Sequence, residues 1–438
     1  MCKTKKATDA SEPRPVLSRS QRTRPSHSPG AQSSSLSHSA IPSSSNPASD
    51  FYTSSSLYNK ATSSGAGTSI SSRTSLSSLR ESLPENPHIY HISEIRAATN
   101  NFLAKRYSSS SSTATAACWR CNLRGRDTVV FQRKFRHKIQ TSQLKERLSV
   151  ICRSHHMSII KLLGASVVVP IGSETSVSGD HIYLVYEFVE GSNLVDCLRN
   201  PRNPSFTVLS NWMSRMQIAT DLAHGIDYVH NKTGLNLSIV HNHIKSSSII
   251  VTEPSFNAKI CHFGTAQLWA KQITEEAKAT SLRKLKRSDS GDRQFEGVRG
   301  YMSPEFRSSG VATQKSDVFS FGVVILELFS GEEALKYRFD KKTGNFVRTS
   351  LMDTAEAATA EGSDGLRRWI DGRLNDSFPV DVAQKLIRLA LDCVHVDPDK
   401  RPDMGRVAGK ISKLFLESKK WSDNVNIPTG ISVSLAPR

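Results

Sequence analysis

"IVHNHIKSSSIIV", residues 239–251, is the stretch on which the reading of this chain turns. An apolar strand end, Ile239-Val240, leads into a histidine and a polar turn. The turn carries His243, Lys245 and the serines Ser246 to Ser248, and a second short apolar strand, Ile249 to Val251, follows. Runs of β-branched residues on both sides of a polar turn read as two short buried strands joined at their ends. What the turn is for depends on what stands around it in the chain.

The chain has 438 residues, enough for one large or two ordinary domains plus a tail. Its net charge is +18 and its pI about 9.7. No stretch approaches the ~18 consecutive apolar residues of a membrane-spanning helix. The opening MCKTKKATDASEPRP lacks the apolar centre of a secretory signal. Seven cysteines scattered through so long a chain suit reduced thiols in an intracellular protein, not a disulfide framework. Cys118-Trp-Arg-Cys121 is a lone C-x-x-C without a second pair at zinc spacing, and reads as strand residues, with no metal expected.

Residues 1–87 differ from the rest. They are crowded with Ser and Pro and too poor in apolar residues to offset the entropy of ordering, so a disordered tail is expected. The tail holds ten Lys/Arg against five Asp/Glu, so most of the positive charge lies in the folded part. No basic module interleaved with aromatics appears, and nucleic acid is not an expected partner. Within the tail, Cys2 beside Lys3, Lys5 and Lys6 is a candidate for a weak, reversible acyl anchor, against the simpler reading of a plain soluble terminus. N-myristoylation is excluded because the second residue is not glycine.

From about residue 88 the periodicity changes. HIYHISEIRAATNNF (88–102) predicts a short helix from Ser93 to Asn101, and DTVVFQRKF (127–135) a strand. SQLKERLSVICRSHH (142–156) has apolar residues at 144, 148 and 151, the helical period. HIYLVYEFV (181–189) reads as a buried strand and NWMSRMQIATDLAHGIDYVHN (211–231) as a long amphipathic helix. SDVFSFGVVILELFSG (316–331) is apolar nearly all round, a buried helix closed by Gly331. VAQKLIRLALDCVH (382–395) is another helix. Strands come first and helices after, which favours two lobes of different class.

The order of these segments resembles that of plant receptor-like protein kinases. ISEIRAATNNF is similar to their E-L-x-x-A-T-x-x-F lead-in, and HHMSIIKLLGAS (155–166) to the stretch after their first large helix. YLVYEFVEGSNLVDCL resembles their hinge, with Tyr186 at the gatekeeper position. VHNHIKSSSIIV resembles the catalytic loop H-R-D-L-K-x-x-N. KICHFGTA (259–266), GYMSPE (300–305), SDVFSFG and DPDKRPDM (397–404) then follow in kinase order and spacing. The resemblance covers roughly residues 90–420 and sits nearest the LysM-receptor type. It implies an α+β bilobal kinase fold, with a small β-rich lobe bearing one helix and a larger helical lobe. The expected organisation is a disordered Ser/Pro-rich tail (1–87), a kinase-like domain (88–420) and a C-terminal tail (421–438). With no extracellular or spanning segment read from the sequence, the receptor-like cytoplasmic kinase group is expected. That implies a cytoplasmic protein, at the inner face of the plasma membrane if Cys2 is acylated.

The same resemblance locates departures. The glycines of the phosphate loop align with Ser111, Thr113 and Ala116, whose Cβ atoms obstruct close approach to a phosphate. The V-A-x-K lysine falls on Gln132 in VVFQ; Arg133 or Lys134 takes that place only if the strand register slips, which turns its faces over. The glutamate that pairs with this lysine is Glu146 or Arg147, and the apolar spacing favours Arg147. The catalytic aspartate is His243, the metal-binding asparagine Ser248, and the D-F-G aspartate His262. Magnesium wants hard oxygen ligands, and imidazole suits zinc, copper or iron better. Two satisfied cleft histidines are a simpler reading of His243 and His262 than a zinc site. The arginine before the catalytic aspartate is Asn242, so an activation-loop phosphate would lack its clamp.

Other positions keep the family pattern: His241 and Phe263 in the packing that links the lobes, Gly264 at the turn, Lys245 of H-I-K, Glu305 with Arg401, and Asp317, which orients the catalytic-loop backbone. Parts that hold the fold are kept while parts that handle MgATP are replaced. The expectation is a catalytically degenerate kinase, a pseudokinase, acting as scaffold or allosteric partner of receptor or cytoplasmic kinases and needing no cofactor. The alternative is an unorthodox ATP- and Mg-dependent serine/threonine kinase that relies on Lys245. In LRKLKRSDS (282–290), four basic residues precede Ser288 and Ser290, candidate sites for a basophilic kinase.

Overall fold

The structure, a computed structural model, describes residues 87–107, 117–134, 141–167, 181–233, 239–269, 298–340 and 344–425. Cys2, Ser111, Thr113, Ala116, Ser288 and Ser290 lie outside the described residues, as do the 1–87 tail (all but its last residue) and residues 426–438.

The first half builds one five-stranded sheet in the order β1-β4-β5-β3-β2, from β1 (His88–Ile89), β2 (Cys118–Leu123), β3 (Arg126–Lys134), β4 (Leu162–Val167) and β5 (His181–Glu187). Only the β1–β4 pair is parallel. Strand β3 runs antiparallel to β5, with Val129 opposite Tyr186, Phe131 opposite Leu184, Gln132 opposite Tyr183 and Arg133 opposite Ile182. Directly opposed residues share a face of a sheet, so these pairs fix which β3 side chains look where.

The two faces bury different clusters. Tyr90, Ile95, Cys121, Leu123, Val130, Leu163, Tyr183 and Val185 form one, on the outer face. Ile182, Leu184 and Tyr186 belong to the main core, which continues into the helical half. The outer cluster is roofed by the helix Ile92–Ala98. That helix starts one residue before the predicted Ser93 and stops three short of Asn101. Its N-cap is His91, whose ring accepts from Ser93 N while Glu94 bonds back to His91 N at 2.8 Å. It ends because Asn100, Asn101 and Phe102 take positive φ angles of 50°, 52° and 65°. The reversal puts the Phe102 ring against Tyr183 (5.0 Å) and Trp119 (5.2 Å). Cys118 is half-buried and Cys121 buried, both as free thiols, and Cys121 belongs to the outer cluster.

The second half is mainly helical. Trp212–Asp227 continues into a π-turn, Tyr228–Lys232, and packs against the last helix, Met404–Asn424. That last helix runs past the expected boundary at 420. The helix Gln314–Ser330 is buried on nearly every side, as its composition predicts, and Gly331 closes it at φ +74°. Between the halves lies a small sheet of β6 (Gly191–Asn193), β7 (Ile249–Thr252) and β8 (Ala258–Ile260). A separate hairpin, β9 (Leu335–Asp340) with β10 (Asn345–Ser350), exposes Tyr337, Phe339 and Phe346. This β-sheet half followed by a helical half is the bilobal arrangement that the sequence predicts.

Candidate functional site

The turn quoted at the outset connects to β7, and the segment Cys261–Gly264 leaves the end of β8. Both meet under β3 and β5, where the two halves face each other.

Asp317, in the first turn of the buried helix, fixes the turn's backbone. Its carboxylate accepts from His241 N at 2.6 Å and Asn242 N at 2.8 Å, and lies 3.0 Å from the His230 ring nitrogen. Capturing two successive backbone N–H groups with one buried carboxylate fixes the path of a loop that has few bonds of its own. A second clamp joins distant segments. Arg401, fully buried, donates two parallel bonds to Glu305, at 2.7 and 2.8 Å, and its remaining N–H groups reach the carbonyls of His395, Lys315 and Val396.

Phe263 is buried beside His241, ring centroids 6.4 Å apart. Gly264 has φ +87°, and a Cβ there would lie 2.4 Å from Ile151 Cγ2, so both backbone and space require glycine. Ile151 belongs to the helix Thr141–Arg153, which this contact holds against the turn. On that helix Glu146 is exposed and Arg147 half-buried, with Arg147 donating to the Leu268 carbonyl at 3.1 Å. The position facing inward is therefore the arginine, as the apolar spacing predicts.

The centre of the site is a chain of rings. His262 has φ +69° and is nine-tenths buried. Its ring meets the edge of Phe131 at 4.6 Å and of His243 at 4.6 Å. Tyr186, beneath, donates its hydroxyl to the Phe263 carbonyl at 3.1 Å. Phe131 comes from the upper sheet and His243 from the lower turn, so the three rings span the cleft between the halves.

The β3 register corrects one expectation. Gln132 stands opposite Tyr183, on the face that builds the outer cluster, and so does not look into the cleft. Phe131 and Arg133 share the cleft face, and Arg133 is nine-tenths buried there. The slipped register is thus the one adopted, and Arg133 is the cation that β3 turns toward the cleft. Sequence reasoning named Arg133 only as the outcome of a slipped register and missed Phe131, because Val129, Val130 and Phe131 are all apolar. A strand buried on both faces shows no alternation by which to tell them apart.

Electrostatics follow from burial. His243 and His262 are both held well below the ordinary imidazole range, first by desolvation and then by charged or polar neighbours that include Arg133 and Lys245. His241 is pushed down to about 4, again by burial first. The rings are therefore neutral at physiological pH. Lys245 is lowered by its own burial and then by Arg133. Ser248, at the expected metal-binding position, has a buried hydroxyl without a hydrogen-bond partner.

These residues do not fit the magnesium that a kinase fold implies. The positions that would supply carboxylate and amide oxygens hold two neutral imidazoles and a hydroxyl, with two cations close by. Among the described residues these positions offer a hard dication no carboxylate oxygen, and the field of the two cations is unfavourable to it. No cluster of three or more His, Cys, Asp or Glu suited to another metal occurs among the described residues.

A small groove of about 40 Å³ adjoins the turn, lined by His243, Lys245, Tyr301, Met302 and Phe306 among others. Beneath it Tyr301 donates to Glu327 at 2.6 Å, Ser246 pairs with Tyr301 at 2.8 Å, and Arg199 bridges to Glu327 at 2.7 Å. The network ties the turn to the buried helix.

Residues 122–410 match the family model described as protein kinase domain. Two Arabidopsis thaliana proteins are similar over 77% of this chain. LysM domain receptor-like kinase 3 is 32% identical, and 48% of its length is covered. Protein LYK5 is 28% identical, with 45% covered. The chain thus spans about half the length of these relatives. Among solved structures, the pseudokinase domain of BIR2, an immune regulator of the RLK/Pelle family, superposes with a TM-score of 0.54 at 22% identity, over 80% of this chain and 96% of that one. No helix among the described residues is long and apolar enough to cross a membrane.

Proposed function

We propose, from the premise that this chain belongs to the protein kinase family, that it signals without transferring phosphate. It serves as a scaffold or allosteric partner of plant receptor-like or cytoplasmic kinases. The observation that carries this reading is the His262 ring wedged between Phe131 and His243. Phosphoryl transfer depends on positioning and on charge stabilisation by metal and lysine. Here neutral rings occupy the places from which carboxylates would hold the metal and receive the substrate proton. The clamps at Asp317 and Arg401, which do no chemistry, are intact. A protein that keeps its shape while losing its charge machinery is suited to being recognised by other proteins. LysM domain receptor-like kinase 3 and LYK5 make kinases of that type the natural partners.

The experiment is a phosphotransfer assay on the purified full chain with Mg²⁺ or Mn²⁺, on itself and on a generic protein substrate. No incorporation is expected. Robust Mg²⁺-dependent incorporation that His243→Ala abolishes would overturn the proposal. It would favour the second reading, an unorthodox active kinase in which Arg133 stands in for the usual lysine beside Lys245.

Two attachments to this role rest on sequence. Ser288 and Ser290 are proposed as sites modified in trans, changing which partner binds the basic segment 282–290; phosphosite mapping from native tissue that finds both unmodified would end that idea. Acylation of Cys2 would hold the protein reversibly at the inner face of the plasma membrane. An unchanged distribution of a fluorescent Cys2→Ser fusion would leave a plain cytoplasmic protein.

A further inference from the structure

The hairpin of β9 and β10 leaves the helical half from a fixed base. Leu351 N–H donates to the Ala334 carbonyl at 3.1 Å, and Ala334 and Ser350 are buried. Gly300 has φ +102°, and a Cβ there would lie 2.9 Å from that of Ala334, so the base sits tight against the backbone before Tyr301. Beyond the base, every side chain from Lys336 to Phe339 and from Asn345 to Thr349 is exposed. Neither face of the ribbon is covered.

The register divides that ribbon. Tyr337 stands opposite Arg348 and Phe339 opposite Phe346, so these four share one face, while Lys336, Arg338, Val347 and Thr349 take the other. The two phenylalanine rings meet edge to face at 5.3 Å. Tyr337, Phe339, Phe346 and Val347 are each at least half exposed. Apolar groups gathered on one exposed element, and not scattered singly, mark a surface that a partner covers. Charge narrows the choice of partner. Residues 335–350 hold five Lys and Arg against a single acid, Asp340. Lys336 is bridged to Glu332, while Arg338 and Arg348 are exposed beside the rings.

A second copy of the chain is opposed by this charge, because two such ribbons repel and cations along a strand discourage strand addition. A protein partner would have to supply a pocket for rings spread over an open ribbon. An anionic lipid surface asks for no matching shape: aromatic rings settle at the level of the headgroups, and Lys and Arg are drawn to the lipid phosphates. Strands rise about 3.3 Å per residue, so Arg338 and Arg348 lie within about 7 Å of Phe339 and Phe346 along the ribbon, comparable to the depth of a headgroup layer.

We propose that this ribbon docks on an anionic phospholipid surface, with Tyr337, Phe339 and Phe346 at the headgroup level and Arg338 and Arg348 on lipid phosphates. One acyl chain gives only marginal attachment, and stable anchoring takes a second signal. The ribbon supplies a signal that needs no acylation of Cys2. The site goes beyond the signalling role above, which holds with or without a membrane, and the two fail separately, one in a vesicle assay and the other in a phosphotransfer assay.

The test is co-sedimentation with vesicles of the purified full chain carrying Cys2→Ser, so that no acyl chain contributes. The vesicles are phosphatidylcholine alone and phosphatidylcholine mixed with phosphatidylserine. Saturable binding to the mixed vesicles is expected, about tenfold or more tighter than to phosphatidylcholine alone. Phe339→Ser with Phe346→Ser should weaken it about tenfold or more, and so should Arg338→Gln with Arg348→Gln. The unfolding temperature should not change in either pair, because all four side chains are exposed. Phe339→Trp with Phe346→Trp should bind as tightly as the parent or more tightly, since indole favours the headgroup level. Lys410→Gln with Lys413→Gln, at exposed positions of the last helix, should leave binding as it is. A loss there equal to that of the arginine pair, or full binding by the serine pair, would place the lipid on the basic surface in general and overturn the site. No binding to either vesicle would leave the rings to a protein partner and overturn it as well. So would a concentration-dependent dimer, seen by sedimentation velocity without lipid and abolished by the serine pair, which would make a second copy the occupant.

Discussion

At the scale of single residues, two substitutions separate what holds the fold from what faces the cleft. Arg401 is fully buried and makes every one of its bonds within the protein. Removing one partner of such a pair leaves the other charge without compensation, at a cost of about 3–5 kcal/mol. Arg401→Ala should therefore lower the stability measured by denaturant unfolding by about that amount; a loss under about 1 kcal/mol would show that the bridge is not what ties Glu305 to the helical half. The second concerns β3. Because Gln132 faces the outer cluster and Arg133 the cleft, the pair Arg133→Lys with His262→Asp should gain Mg²⁺-dependent nucleotide binding. The pair Gln132→Lys with His262→Asp should gain none. Equal recovery in both, read by thermal shift with MgATP, would mean that the strand does not keep this register. Much of the site's composition was legible at this scale: His243 lies ring to ring with His262, and His241 lies beside Phe263. Which face Arg133 takes was not, because an unbroken apolar run gives no phase to the strand.

At the scale of elements, the contact between the helix Thr141–Arg153 and the turn after Phe263 is set by one missing Cβ. Gly264→Ala would force a left-handed backbone onto a residue with a side chain and push it into Ile151. Strain and overpacking together predict a loss of at least about 2 kcal/mol. The relieving double variant Gly264→Ala with Ile151→Ala should recover the overpacking part and leave the backbone part, as measured by unfolding free energies. Equal stability of the single and double variants would remove the clash from the account. The element boundaries show what periodicity can and cannot give. The buried helix Gln314–Ser330 was readable to within two residues, because Thr313 caps it and Gly331 stops it by local chemistry. The helix Ile92–Ala98 was read too long, because its end is set by Phe102 turning back onto Trp119 and Tyr183, partners that are distant in sequence.

At the scale of the whole molecule, three neutral histidines at the junction of the two halves make stability depend on pH. The folded-state pKa of His241 is depressed to about 4 from an ordinary 6.5, and His243 and His262 are depressed as well, in each case chiefly by burial. A depressed group contributes stability that is complete above the unfolded value. That stability drains as pH falls, because the unfolded chain takes up protons that the folded one refuses. Unfolding free energy should thus be flat between about pH 6.5 and 8, below the range where the buried thiols titrate in the unfolded chain, and fall steadily between pH 6.5 and 4.5, with His241 alone worth roughly 3 kcal/mol at most across its full range. Asp371, held at about 2, releases its share only below the ordinary carboxylate value of 3.8, under this window, whereas Glu327 and Asp221, raised by burial, act in the opposite sense and soften the slope. His262→Phe should make the slope shallower by one group. A stability curve without slope from pH 7 to pH 5 would show that these rings are hydrated or already charged in the fold.

The sequence by itself determined the class of the fold, the order of its elements and the chemical identity of the groups near the cleft. Those are written in local periodicity, capping residues and the spacing of the segments from His88 to Met404, each decided by residues close together in the chain. Only the tertiary structure decided which face of β3 looks inward, that His262 lies between Phe131 and His243, and that Arg133 is the strand residue buried on the cleft face. The reason is physical. A strand apolar on both faces has no preferred side until β5 pairs with it, and the charge state of a buried group depends on neighbours that arrive from far along the chain.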